Sequence, residues 1–410
     1  MSSAPIRDRI VRYSNESEVG VTPRRFWSFA AIAGVLSSLA FVPAGAADPP
    51  PYEIDAVISL TGSAAFLGKE EQQALEAVER VQNARGGIGG RKIRFVVQDD
   101  QSNPQIAVQL TNGIIGKHVA VILGSTLVAQ CNAMLALVRD NGPVQYCISP
   151  GIHPEHGGYT FSSSVSTRDQ AIAMVRYFHK RGWTRIGLLT STDATGEDAA
   201  RNFAGAIASE HGTSIVAQER FNPADVSVTA QLTRIKGANP QAIVGWTTGT
   251  PFGTVLRGIA ETGIDVPIGA GNGNVIYAQL QQYKDFLPKE LLFSGLQYFR
   301  DPKDIHGPLK SAIETFDKAL APAKPDLGQG LAYDPAMIVV DALRKLGPNA
   351  TAKQLRDYIL GLHGYVGVNG VYDFHSGDNR GLAVGNAVLV RYDRGRDRFV
   401  PVSKPGGDPL

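Results

Sequence analysis

The chain has 410 residues, 43% of them hydrophobic and 19% charged, with a net charge of +2. That length asks for more than one core, and that composition excludes a disordered or membrane-embedded protein. Five arginines and three acids in the first 47 residues account for the whole net charge. The remainder is neutral, with no basic run to serve as a nucleic-acid footprint.

In chain order, Arg24 and Arg25 precede an apolar stretch over 26–42, and Ala44, Gly45 and Ala46 follow it. This pattern predicts a secretory signal over residues 1–47, cleaved after Ala46 or Ala47. Ser28, Ser37 and Ser38 interrupt the stretch, which is short for a permanent membrane anchor. Strand and helix patterns then alternate. Strands are expected at 52–60, 92–98, 119–123 and 144–148, with helices at 69–84, 104–116 and 129–141 between them. A second series follows, with helices at 168–181, 196–210, 226–236 and 251–262. Its strands are expected at 184–190, 214–221, 242–246 and 266–269. Such alternation predicts parallel sheets covered by helices on both faces, one for each of two lobes. The tail breaks the rhythm. Helices are expected at 306–320, 333–346 and 352–362, strands at 371–374 and 387–392, and a surface loop over 321–330.

Cys131 and Cys147 are the two cysteines of the chain. Cys131 is expected near the start of a helix and Cys147 at the end of the following antiparallel strand. Both sulfurs then lie at one end of the unit, as a disulfide or as two buried thiols.

No HExxH, GxSxG or P-loop pattern is present. The glycines at 86, 87, 89 and 90 lie between a helix and a strand, the reverse of a phosphate-cradling order, and read as a turn. Asp99 and Asp100 are adjacent on an extended chain, so their carboxylates diverge, and capping of the helix near Pro104 is the expected use. Asp193 reads as a turn and helix cap. His118, His179, His306 and His375 lack partners at metal-ligand spacing and read as surface or core histidines. No catalytic residue, metal or cofactor is expected.

Binding signals are stronger. Ligands of open α/β sheets sit beyond the carboxyl ends of the strands. The segments there, at 61–68, 124–128, 149–154, 191–196, 247–249 and 269–274, are rich in Gly, Ser and Thr. They offer backbone N–H groups and hydroxyls to a polar solute, and helices that start after several of them favour a carboxylate.

At these loops the sequence resembles the type I periplasmic solute-binding proteins of ABC transporters, in the branched-chain amino acid (Leu/Ile/Val)-binding family. The likeness runs from Ile54 to about Tyr392. It rests on Leu60-Thr61-Gly62 with Gly68, on the string from Asn83 to Ile93, and on Gln98-Asp99-Asp100 with Asn103-Pro104 and Ala107. Ile148-Ser149-Pro150-Gly151, Ala332-Tyr333-Asp334 and Gly367-Val368-Asn369-Gly370 with Phe374 complete it. The resemblance implies an α/β fold of two doubly wound parallel-sheet lobes joined by a three-segment hinge. Lobe 1 is expected at 48–165 plus 297–372 and lobe 2 at 166–296 plus 373–410, with crossings near 162–168, 292–297 and 371–374. It also implies periplasmic location, closure on a small-molecule solute, a monomer as sufficient unit, and hand-over to an inner-membrane ABC permease with its ATPase.

By the same resemblance, the cleft is formed by Phe66, Leu67, Ser125, Thr126, Leu127, Val128, Gly151, Ile152, His153, Thr195, Trp246, Thr247, Thr248, Gly271 and Asn272. The departures from the family pattern bear on cargo. The serine that holds a ligand carboxylate is Val128 here, with Thr126 as a substitute, and the second carboxylate-binding hydroxyl is His153. The acid that pairs with the ligand ammonium falls near Gly271, and the tyrosine of the first second-lobe loop is Thr195. A desolvated ammonium without an acid costs several kcal/mol. The expected ligand is therefore an aromatic or short aliphatic organic acid. Alternatives are a branched-chain or other amino acid, or a sensor of the same fold that feeds a signalling partner. His153 at the surface, through a one-residue shift of its loop, and Trp246 as core are the competing readings of those two residues.

Overall fold

The structure, a computed structural model, describes residues 49–375 and 379–410. The secretory signal expected over 1–47 lies outside the described residues. Among the described residues, no helix is long and apolar enough to cross a membrane.

The first sheet is built from β1 (Tyr52–Ile58), β2 (Ile93–Asp99), β3 (Val121–Gly124), β4 (Val144–Cys147) and β5 (Thr160–Ser162). All pairs are parallel, in the order β2-β1-β3-β4-β5. Unbroken buried runs in β1, β3 and β4 reflect cover on both faces. The connecting helices are α1 (Ala65–Ala84), α2 (Pro104–Ile115) and α3 (Val128–Val138). The start of α2 is set by Asn103, whose side chain accepts from the N–H groups of Gln105 and Ile106, with Pro104 in the first turn. Asp99 and Asp100 therefore do not cap this helix. Their carboxylates instead hold the loop after β1, as described below.

The second lobe opens with α4 (Thr167–Lys180), then β6 (Arg185–Ser191), α5 (Ala194–Ser209), β7 (Ser214–Phe221), α6 (Thr229–Gly237), β8 (Ala242–Trp246), α7 (Thr250–Thr262), β9 (Ile268–Ala270), α8 (Tyr277–Gln282) and β10 (Leu291–Gly295). The chain then supplies α9 (Gly307–Leu320), α10 (Leu327–Leu346), α11 (Ala352–Leu360) and a hairpin of β11 (His363–Val366) with β12 (Val371–Asp373). Strands β13 (Val388–Asp393) and β14 (Arg398–Pro401) add antiparallel to the second sheet, whose order is β14-β13-β10-β9-β8-β6-β7. After β10 the chain returns to the first lobe, where α10 packs along α1. Both sheets are parallel where ligand loops emerge, and each reverses strand order once, between β1 and β3 and between β6 and β8.

Helix α10 begins at Leu327, six residues before the expected start. Asp326 and Gln329 form a capping box, each side chain accepting from the other's backbone N–H. Burial of nearly the whole helix outweighs the low propensity of Gly328 and Gly330.

A disulfide joins Cys131 in the first turn of α3 to Cys147 at the end of β4, across a sequence separation of 16. It sits in a small apolar cluster with Val128 and Ile152. Closing a loop of that length stabilises a chain by about 3 kcal/mol. The Cys131→Ala/Cys147→Ala variant should lose about 2–4 kcal/mol in urea unfolding relative to the oxidised protein. Unchanged stability would remove the disulfide from the account.

Candidate functional site

The two order reversals face each other, and a cleft lies between them. From the first lobe it is lined by Leu67 of α1, by Thr126, Leu127 and Val128 after β3, and by the loop 148–151 after β4. From the second lobe come Thr167, Thr195, Trp246, Thr248 and the loop 271–273 after β9, with Leu331 of α10 at the edge. This is the crevice outside the carboxyl ends of the strands where open α/β sheets hold ligands. A larger groove of about 640 Å³ opens at the opposite edge of the first sheet, beside Lys117 and Pro348. It lies at the amino ends of the strands and has none of the loops that a ligand site of this architecture uses.

The lobes are in contact at the cleft. The Thr250 N–H donates to the Ser63 carbonyl at 2.9 Å. At the rim, His153 Nε2 lies 2.7 Å from Asp198 Oδ1 on α5. The internal volume is about 20 Å³, the room of roughly one water. An organic solute therefore enters only when the lobes separate.

Gly249 marks the tightest approach. Its φ is +81°, and a Cβ there would meet the Ser63 carbonyl oxygen at 2.1 Å. That clash exists only when the lobes touch. Gly249→Ala should therefore weaken ligand binding by about tenfold or more through loss of the closed state, and its positive φ, with ψ at −147°, adds a stability cost of about 1 kcal/mol or more whether or not the lobes touch. Equal ligand affinity in the variant and the parent, by calorimetry, would contradict this closure geometry.

The floor of the cleft on the first lobe is a buried polar chain. The Thr126 hydroxyl donates to Glu71 Oε2 at 2.6 Å and accepts from the Ser59 N–H at 3.0 Å. Ser59 Oγ and Ser125 Oγ donate to the two oxygens of Asp100, at 2.6 and 2.5 Å. Burial pushes the Glu71 and Asp100 carboxyls up from their ordinary values. Asp99 accepts from the Leu60 and Thr61 N–H groups and from the Thr61 hydroxyl. The two carboxylates diverge and fix the loop after β1. The hydroxyls of Thr126 and Ser125 are engaged in this network, so neither replaces the hydroxyl lost at Val128. What the loop offers a carboxylate is the amino end of α3, which has no side-chain cap.

On the second lobe, Trp246 is 4% exposed. Its ring packs edge-to-face on Phe203, with centroids 5.1 Å apart. It both anchors the core and lines the cleft. A Cβ on Gly271 would come within 2.9 Å of the indole Cζ2, so the indole fills the space that a side chain at 271 would need. No charged side chain stands among the described residues that line the cleft.

Ten of the residues expected in the cleft are brought together there: Leu67, Thr126, Leu127, Val128, Gly151, Thr195, Trp246, Thr248, Gly271 and Asn272. Five are placed elsewhere. Phe66 is half-buried against the core. Ser125 serves Asp100, Ile152 is fully buried beside the disulfide, and the Thr247 carbonyl accepts from Asn274. His153 has a side chain 56% exposed and turns to Asp198 instead of the cleft, which puts it at the surface. Ile148, Thr167 and Leu331 lie outside every segment expected to line the cleft. Thr167 follows the cap Ser166, and Leu331 lies on the first turns of α10 that glycines disguise.

The sequence model of the family described as "Periplasmic binding protein" matches residues 51–397. A Leu/Ile/Val-binding protein homolog of Brucella melitensis is 22% identical over 241 residues, covering 58% of this chain and 64% of that protein. The chain thus spans under two-thirds of the length of the curated relatives it matches first. Among solved structures, an extracellular ligand-binding receptor from Rhodopseudomonas palustris superposes with a TM-score of 0.76 at 20% identity, covering 86% of this chain and all of that one. An ABC transporter solute-binding protein from R. palustris, in complex with benzoate, superposes with a TM-score of 0.71 at 18% identity, covering 88% of this chain and 97% of that one.

Proposed function

The chain belongs to the periplasmic binding protein family, and from that premise we propose that it is the solute-binding component of an ABC uptake transporter, exported by its N-terminal signal. Its cargo is a small organic acid, aromatic or short aliphatic. The solute binds one lobe, the lobes close about their hinge segments, and the closed form is what the membrane permease and its ATPase receive. The family consists of solute-binding proteins, and no turnover of the ligand is expected.

The observation that carries the cargo assignment is the cleft lining. It combines Leu67, Leu127, Val128, Trp246 and Leu331 with hydroxyls and an uncapped helix start, and it has no acid. A carboxylate is served by the α3 N–H groups and its apolar body by the indole, whereas an α-ammonium finds no charge partner among the residues that line the cleft. The benzoate-bound likeness is consistent with this class of solute.

The amino-acid alternative has one observation in its favour. Asp198 is buried, its Oδ2 has no hydrogen-bond partner, and that oxygen lies 3.5 Å from the position a Cβ on Gly151 would take. If Asp198 received an ammonium, Asp198→Asn would abolish amino-acid binding. If the cargo is an organic acid, the same change leaves its affinity within a few-fold. Isothermal titration of the parent and Asp198→Asn with benzoate and with leucine separates the two.

A further inference from the structure

Away from the cleft, the hairpin of β11 and β12 brings together three side chains that are scattered in sequence. His363 and Asp373 are directly opposed across the hairpin, and cross-strand partners share a face. His375 lies in the bend that follows β12, where its N–H donates to Asp373 Oδ1 at 3.0 Å and keeps it beside that carboxylate. His363 Nδ1 lies 3.2 Å from Asp373 Oδ1. The two imidazoles stack, their planes 5° apart and centroids 5.7 Å apart. One ligand atom from each of the three lies within 4.8 Å of the others.

We propose that His363, Asp373 and His375 form a surface site for a divalent transition-metal ion, with Zn²⁺ as its simplest occupant. Two imidazoles and one carboxylate suit a borderline cation and suit Mg²⁺ or Ca²⁺ poorly. Tetrahedral zinc places its donors about 3.3 Å apart, so rotation of exposed side chains by little more than an ångström completes the set. Water fills the remaining position. Both rings are exposed, so no core rearrangement opposes that rotation. The carboxylate that pairs with His363 is itself a ligand, and the ion takes over an existing contact. Asp373 is two residues before His375, and strand pairing adds the second imidazole, His363, from twelve residues upstream. The site is independent of the cleft and of its cargo.

The test titrates Zn²⁺ into the untagged protein by calorimetry. One ion per chain is expected, with affinity lower by roughly tenfold or more in His363→Ala and in His375→Ala, since even outer-sphere partners of metal ligands are worth that much. His306→Ala controls for adventitious imidazole and should leave the affinity unchanged. In the wild type, Zn²⁺ should shift the ring signals of two histidines in heteronuclear NMR, a readout that no substitution can confound. Unaltered binding in the His363→Ala/His375→Ala variant, absence of stoichiometric binding, or ring shifts spread over the other histidines would each overturn the site.

Discussion

Trp246→Ala is expected to weaken binding of an aromatic acid by roughly a hundredfold or more and to destabilise the unliganded protein by about 3–5 kcal/mol. Both effects follow from one ring. On its core side the indole packs on Phe203, and removal leaves a cavity among residues that relax only partly. On its cleft side the ring is the largest apolar surface offered to a ligand. Loss of its burial and edge contacts is worth about 3 kcal/mol, which is the hundredfold. Trp246→Phe separates the two, since it should recover most of the stability and only part of the affinity. Urea unfolding and calorimetry on both variants measure the effects. Full affinity in Trp246→Ala would place the ligand elsewhere.

Asp334→Ala should cost about 3 kcal/mol or more, because each buried donor left unpaired is worth about 1–3 kcal/mol. Asp334 is fully buried on α10. Its carboxyl accepts from the Val368 and Asn369 N–H groups and the Tyr372 hydroxyl, each at 2.9 Å. It thereby pins the turn of the β11–β12 hairpin onto the first lobe. Burial raises its pKa from 3.8 to about 6, against the lowering effect of those donors. Glu70, beside Gln329 on α10 and close to the buried Asp326, is likewise raised by burial. A raised folded-state value fixes the sign. The contribution of these groups is complete below the unfolded pKa and is lost as pH rises through the folded one. Stability from Asp334 should therefore fall between about pH 4 and pH 6. In Asp334→Asn that slope should vanish. An unchanged slope would show that Asp334 does not titrate in that window.

Much of this structure is legible from residue order, for identifiable reasons. Long apolar runs such as β1, β6 and β8 are buried on both faces, and the amphipathic helices α4 and α5 carry caps at Ser166 and Asp193, so period and punctuation agree. The cleft loops follow from the same pattern, because the ends of parallel strands must emerge together. The expected cleft residues that the fold places elsewhere were set by partners distant in sequence. Thr126 lies in the cleft, but its hydroxyl is engaged because α1 brings Glu71 beneath it. His153 meets Asp198 across the rim, a contact with no local signature. Strands such as β5 and β11 are three or four residues long and owe their form to a neighbour, not to propensity. For that reason the pairing of His363 with Asp373, and with it a second imidazole beside His375, is visible only in the fold. The early start of α10 had a signal in Asp326 and Gln329, masked by Pro325, Gly328 and Gly330.

The residues at 128, 246 and 271 carry the central claim that the cleft closes on a carboxylate with an apolar body and no ammonium. The most direct measurement is a calorimetric comparison of the ligand-free protein with benzoate, short aliphatic carboxylates, leucine, isoleucine and valine under one set of conditions. The account predicts saturable one-to-one binding of at least one simple carboxylate and none of the three amino acids. Tight binding of leucine with no heat from any simple carboxylate would contradict it.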